Sequence, residues 1–270
     1  MVNIPVSLKE ALELRGNPAL TPHIGGTDLM VEARGDASYL FLHKVPEMRG
    51  ISEDGQYIRF GAAVTFAEVI KHPLSPPILK EACLQIAAPA IRNMGSLGGN
   101  VGNGSPKADS ALIFMVTDAK LKLASAGGER ILPIKDFYLG RKKLALAPDE
   151  LIVEILMPKT GFENYYYKKV GARDALAIAR VSFAGILDVK DGRIAHCATA
   201  FGAVSDTILR FDEIDRMLIG KTPEEAKGVK EAYLRALDQA IVPIRGRVSA
   251  QYRKDVCLNL VRDFLEVNGI

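Results

Sequence analysis

The stretch Ile91–Ala111, IRNMGSLGGNVGNGSPKADSA, gathers Gly95, Gly98, Gly99, Gly102 and Gly104 among small polar residues. Glycine lets backbone N–H groups approach a ligand closely and adopt the positive φ values that turn successive amides toward one point. Such a concavity binds anions, phosphates above all. Within the stretch, Ser96, Asn100, Asn103, Ser105 and Asp109 could direct hydrogen bonds to a sugar or base. Leu97 and Val101 look like anchors, which a flexible Gly/Ser linker would lack. The stretch therefore reads as a ligand loop, with a structural loop as the plain alternative.

A second site has the same character. HIGGTDL, His23–Leu29, places Gly25 and Gly26 after a strand and follows them with Thr27. Amides here, with the Thr27 hydroxyl, could hold another phosphate. For this loop alone an ordinary glycine turn is the simpler explanation, but two amide-lined loops together suit a diphosphate. Asp28 is the awkward residue, because an anion beside a phosphate is unfavourable unless it faces away or accepts a backbone N–H.

Spacing excludes several other chemistries. From Gly99 the glycines run G-x-x-G-x-G, not the G-x-G-x-x-G of a dinucleotide fingerprint, and Lys107 follows Pro106 where a Walker A loop needs glycine. Ser96 in MGSLG lacks the first glycine of a nucleophile elbow. His23, His43, His72 and His196 lack metal-ligand spacing. Cys83, Cys197 and Cys257 are far apart and show no C-x-x-C, so they read as reduced, buried thiols, too few for an iron–sulfur cluster.

The elements that must position the two loops follow from composition and periodicity. At 270 residues, with 48% hydrophobic and 25% charged residues and a net charge of +3, the chain can build real cores and does not advertise nucleic acid or an acidic membrane as its partner. The basic run Arg141–Lys143 reads as a solvated turn. No window is apolar enough for a membrane span, and the N-terminus lacks a signal-peptide layout, so a cytoplasmic protein is expected.

Ser7 caps a short amphipathic helix carrying Leu8, Ala11, Leu12 and Leu14. ALTPHIGG is a short strand running into a turn, and TDLMVEARG a short helical or extended segment. YIRFGAAVTFAEVIKHP is a strand followed by a helix capped near Thr65, ILKEACLQIA a further helix, and ALIFMVTDA a buried segment. KLKLASAGGERILPI is a hairpin about Gly127–Gly128, and DELIVEILMP alternates up to Pro158.

After residue 160 come strands in NYYYKKVG and in two runs joined at Asp191–Gly192. A helix opens with a capping box at Thr222, Pro223 and Glu225 and carries Ala226, Val229, Tyr233, Ala236, Leu237 and Ala240 on one face. The last helix places Tyr252, Val256, Leu260, Val261 and Phe264 at helical spacing. The whole is an α+β chain in two parts, with the break near Pro158–Gly161.

Taken together, IGGTDL, AIRNMGSLGGNVGNGSPKADSA, DELIVEILMP, YYYKKVGARDALAIARVS and SAQYRKDVCLNLV resemble one family over nearly the whole chain. It is that of the FAD-binding medium subunits of molybdenum hydroxylases, the group of xanthine dehydrogenase and carbon monoxide dehydrogenase. The resemblance implies a vanillyl-alcohol-oxidase (PCMH)-type flavin domain at 1–160, with subdomains of about 1–52 and 53–160, and a C-terminal α+β domain at 161–270. It implies FAD as cofactor. The first loop, Pro22, His23, Ile24, Gly25, Gly26, Thr27, Asp28 and Leu29, would clamp its diphosphate. Ser96, Leu97, Gly98, Gly99 and Asn100 would meet it from the other side. Asp109 would make a further polar contact, Ile152 would match the apolar contact position, and Lys168 the basic one beside the isoalloxazine.

The chain departs from its relatives in two places. Ile86 stands where some place an aromatic residue against the flavin, and the acidic cluster of nucleotide-reducing relatives is reduced to Asp174. By resemblance the partners are a molybdopterin-binding large subunit and a [2Fe–2S] small subunit, with NAD⁺, oxygen, a quinone or another acceptor taking the electrons. The alternatives are a stand-alone reductase of the enolpyruvyl-sugar type and a non-catalytic nucleotide-binding module.

Overall fold

The computed structural model describes residues 3–31, 33 and 37–270. The chain divides into two compact units, Met1–Ser105 with Asp118–Lys159, and Pro106–Thr117 with Thr160–Ile270.

In the first unit, helix α1 (Leu8–Arg15) starts where Ser7 accepts from the amide of Glu10, and it buries Ala11 and Arg15. The buried face thus ends on an arginine one residue beyond the expected Leu14. Strand β1 (Leu20–His23) pairs in parallel with β2 (Ser38–Phe41), His23 opposite Phe41. Between them Leu29–Val31 form a short helical turn. The rest of the segment expected over TDLMVEARG includes Glu32, Arg34 and Gly35, which lie outside the described residues.

Strands β3 (Ile51–Glu53) and β4 (Tyr57–Gly61) lead into α2 (Phe66–Lys71), held by a complete Thr65–Glu68 capping box. Helices α3 (Pro77–Leu84), α4 (Pro89–Arg92) and α5 (Leu97–Gly102) follow. The hairpin β5 (Lys120–Ser125) and β6 (Gly128–Pro133) and the small ribbon β7 (Tyr138–Gly140) and β8 (Lys143–Leu144) precede β9 (Leu151–Pro158).

An antiparallel sheet runs β3-β4-β9-β5-β6. Its middle strand does not alternate between core and solvent. Leu151, Ile152 and Val153 are all buried, as are Ile155, Leu156 and Met157. Both faces of β9 are covered, which is why its run is almost wholly apolar.

In the second unit α6 (Asp109–Val116) buries every residue and packs on β11 (Val181–Lys190) and β12 (Arg193–Gly202), which pair with β10 (Tyr165–Val170) and the short β13 (Leu209–Arg210) respectively. The sheet order is β10-β11-β12-β13, antiparallel throughout. After α7 (Asp212–Asp215), helices α8 (Pro223–Ala240) and α9 (Ala250–Val267) bury Tyr233, Leu237, Val261 and Phe264 in one core with Phe183 and Phe201.

Tyr252, expected on the buried face of α9, is 40% exposed, and the stripe runs through Arg253 and Cys257 instead. Arg253 occupies that face because its guanidinium donates to the carbonyls of Arg180 and Ala203. All three cysteines are free and buried. Among the described residues no helix is long and apolar enough to cross a membrane.

Candidate functional site

The first loop leaves β1 at His23. Gly26 adopts φ +66°, and its carbonyl accepts from the Met30 amide at 2.9 Å, closing the turn. The amides of Gly25, Gly26, Thr27 and Asp28 find no acceptor among the described residues. Backbone donors are almost always satisfied, so a run of them on a concave surface is a place prepared for an anion. The His23 ring lies against Phe41, with centroids 4.7 Å apart, and under Gly26, where an added Cβ would come within 2.2 Å of Nε2. Burial pushes the imidazole pKa down, which favours the neutral ring beneath the loop.

The second loop is built differently from the amide cradle that its glycines suggest. Ser96 caps α5 by accepting from the Gly99 amide at 3.1 Å. Leu97 donates to Val64 O, Gly98 to Ala62 O and Asn100 to Ser96 O, so these amides are already used. Nor do Gly95, Gly98, Gly99 and Gly102 take positive φ; in this stretch Gly104 alone does, at +64°.

Their role is close approach. A Cβ on Gly98 would stand 2.5 Å from Ala62 Cβ, and one on Gly95 2.8 Å from the Phe66 ring. Across the gap the two loops touch backbone to backbone, since a Cβ on Gly25 would lie 1.8 Å from Met94 O. Asp28 resolves its awkwardness here, accepting from Asn103 Nδ2 at 2.6 Å and tying the loops together.

The loops line one cavity of about 320 Å³ in the first unit. Of the sequence-derived residues, Pro22, His23, Ile24, Gly25, Gly26, Thr27, Asp28 and Leu29 line it, with Ser96, Gly98, Gly99, Asn100 and Ile152. Leu97 does not; its side chain is fully buried in the core and anchors α5. Four acceptorless amides on one wall of this cavity fit the diphosphate of a dinucleotide.

Asn103, one of the polar residues of the glycine stretch, also lines the cavity, as do Arg15 and Glu150, which sequence reasoning did not assign to it. A charged residue four positions after the buried Ala11 was the available signal for Arg15. Glu150 pairs with Arg130, Nε and Nη2 donating at 2.6 and 2.8 Å, and accepts from the Ala147 amide. Arg130 holds its carboxyl below the usual glutamate range, burial opposing.

A lowered folded value means that the pair stabilises fully above the ordinary glutamate value of 4.5 and is lost as pH falls through the lower, folded one. Glu150→Gln should therefore melt a few degrees below wild type at neutral pH, a deficit of about 1 kcal/mol given the exposed Arg130. The two melting curves should converge on acidification below that range. Parallel curves at every pH would show that the pair carries no such linkage.

Asp109 and Lys168 belong to the second unit. Asp109 opens α6, is 5% exposed, and accepts from Lys169 Nζ at 2.7 Å. Burial pushes its carboxyl upward against the pull of that ammonium. Lys168 is exposed, whereas the Lys169 side chain is only 8% exposed. Successive strand residues face opposite sides, and α6 covers the side of Lys169.

Two glycine loops in backbone contact, the first presenting four amides without acceptors to one cavity, place the chain among proteins with a built site for a phosphorylated ligand. Comparison with known proteins specifies the family. The family described as FAD binding domain in molybdopterin dehydrogenase matches residues 2–160, and that described as CO dehydrogenase flavoprotein C-terminal domain matches 165–267. The chain is 33% identical over 216 residues to the putative xanthine dehydrogenase FAD-binding subunit of Escherichia coli K12, covering 76% of this chain and 74% of that one. It is 28% identical to the nicotine 6-hydroxylase medium subunit of Paenarthrobacter nicotinovorans, over 96% of this chain and 93% of that one. A carbon monoxide dehydrogenase structure from Hydrogenophaga pseudoflava superposes with a TM-score of 0.89 at 26% identity, over 97% and 94% of the two chains.

The chain belongs to the family of FAD-binding medium subunits of molybdenum hydroxylases. Its cofactor is FAD, and its class of activity is oxidoreductase.

Proposed function

We propose that this chain is the electron-transfer subunit of a molybdenum hydroxylase complex, receiving electrons from the [2Fe–2S] clusters of a small subunit that draws them from a molybdopterin-binding large subunit. NAD⁺ or another acceptor then takes them. Bound FAD supplies the redox chemistry, collecting electrons singly and releasing a pair; the protein binds and orients it.

The observation that carries this reading is the pair of touching loops with acceptorless amides at Gly25–Asp28. Those amides and the Thr27 hydroxyl receive the diphosphate. Asn103 holds the Asp28 carboxylate by a hydrogen bond, and Gly98, packed on Ala62, sets the second loop in place beside the cavity. Ile152 gives an apolar contact. By resemblance Asp109 and Lys168 add polar contacts to the cofactor. The buried pairing of Asp109 favours Lys169 over its exposed neighbour as the lysine whose charge is held in place.

The test is to load the purified chain with FAD, mix it with its small and large partner chains, and add the substrate of the complex. Flavin absorption should bleach only when both partners are present and return on adding the acceptor, with NAD⁺ tried first. Bleaching by NADPH in the chain alone would replace this reading with that of a self-sufficient reductase.

A further inference from the structure

The cavity contains one cation that the diphosphate loops do not explain. Arg15, at the end of α1, is only 9% exposed. Its Nη1 donates to Leu20 O at 2.7 Å and its Nε to Glu150 O at 3.3 Å, so two carbonyls fix its plane, while the Asp149 carboxylate acts on its charge without a hydrogen bond. Nη2 has no protein partner among the described residues and is not among the fully enclosed unpartnered atoms. Because Arg15 lines the cavity, that amino group is available to what fills it. The neighbouring Glu150 carboxylate cannot neutralise the guanidinium, since Arg130 takes it. A desolvated charge with a spare donor is costly unless a ligand completes its shell.

Position decides which part of the ligand it meets. Leu20 begins β1 and His23 ends it just before the amide loop, so the Leu20 carbonyl that holds Arg15 lies about 10 Å before the cradle at roughly 3.3 Å per strand residue. That is too far for the diphosphate and suits one of the groups the diphosphate joins. Leu151, buried and directly following Glu150, gives this end an apolar wall. A flavin ring that exchanges electrons with other molecules must stay reachable, so the walled end takes the electron-inert half.

We infer that Arg15 binds the adenosine end of FAD, Nη2 donating to an acceptor on the adenine or ribose while Leu20 O and Glu150 O fix the guanidinium plane. This inference rests on the cavity being the FAD site. ADP and FMN, the two halves of the cofactor, provide the test, with binding to the flavin-free chain measured by calorimetry. Arg15→Met should weaken ADP and FAD binding about 10- to 100-fold, as for loss of a hydrogen bond from a charged donor, and leave FMN binding unchanged. Arg15→Lys, which keeps the charge but not the fork, should recover only part of the loss.

Equal ADP affinity in wild type and Arg15→Met would overturn the inference, as would an equal loss for FMN. Should the methionine variant not fold, the nitrogen resonances of Arg15 in the wild-type chain decide. They should shift on adding ADP but not inorganic pyrophosphate, and no shift with ADP overturns the proposal. A wild-type chain that binds neither FAD nor ADP would instead remove the FAD site itself, so the two failures are distinct.

Discussion

Gly25→Ala should give a colourless protein. The new Cβ would lie 1.8 Å from Met94 O and 2.6 Å from Met94 C, where ordinary contact begins at 3.4 Å, so the loops must part by more than an ångström. Nothing flexible stands in the way to yield. At Gly26 the obstacle is a histidine ring that can turn; at Gly25 it is main chain. Overpacking of this kind costs about 1–3 kcal/mol or more. The shift also breaks the 2.6 Å bond between Asp28 and Asn103, freeing a carboxylate beside the amides that should receive phosphate. We expect FAD affinity to fall at least ~100-fold, about 2.7 kcal/mol, as measured by quenching of flavin fluorescence. Gly127→Ala, whose Cβ would meet only Ser125 Oγ at 3.6 Å, should bind like wild type. Wild-type affinity in Gly25→Ala would mean that the loops do not need their contact.

Asp109→Ala should damage the second unit in a different way. It leaves the Lys169 ammonium, with its side chain 8% exposed, without the carboxylate that now accepts from it at 2.7 Å. Stranding one partner of a buried pair costs about 3–5 kcal/mol, and at this chain size the melting temperature should drop by roughly 6 °C or more. Replacing both partners, as Asp109→Leu with Lys169→Met, should recover much of the loss, because no charge then remains buried. Lys168→Met supplies the contrast: an exposed lysine one residue away should change stability by no more than about 0.5 kcal/mol. If Lys168→Met and Lys169→Met destabilise equally, the assignment of the buried charge to Lys169 is wrong.

Local rules carried the sequence far. Thr65 and Thr222 cap helices in the structure as expected, Thr222 in a box with Glu225, and the hairpins about Gly127–Gly128 and Asp191–Gly192 both form, the second with a bulge at Asp188–Val189. Both glycine loops were legible as a pair. Their chemistry was only half legible, because glycine has two uses and sequence cannot separate them. At Gly26 it supplies positive φ; at Gly25 and Gly98 it removes a side chain from a backbone crossing.

The helix Leu97–Gly102 defies its own propensity. It is fixed by the Ser96 cap and by the fully buried Leu97 and Val101, a tertiary effect that no local window contains. Asp109 and Lys169 pair across 60 residues. One position of slip between neighbouring lysines in YYYKKV changes which face of a strand is named, and only the covering helix decides it. Arg15 was hidden for a related reason: a helical stripe ending in arginine looks like a solvated terminus until its carbonyl partners are placed around it.

The helix Asp109–Val116 packs with the second unit, although chain belonging to the first precedes and follows it. The polypeptide thus passes from one unit to the other at Ser105–Pro106, returns at Thr117–Asp118 and leaves again at Lys159–Thr160. No single scission can separate the halves cleanly. A fragment stopping near residue 160 would carry eight enclosed residues of that helix with β11 and β12 missing, a bare oily rod in water. Engineers seeking a minimal flavin module from this scaffold would have to graft a replacement cover onto that segment or excise it and splice Ser105 to Asp118.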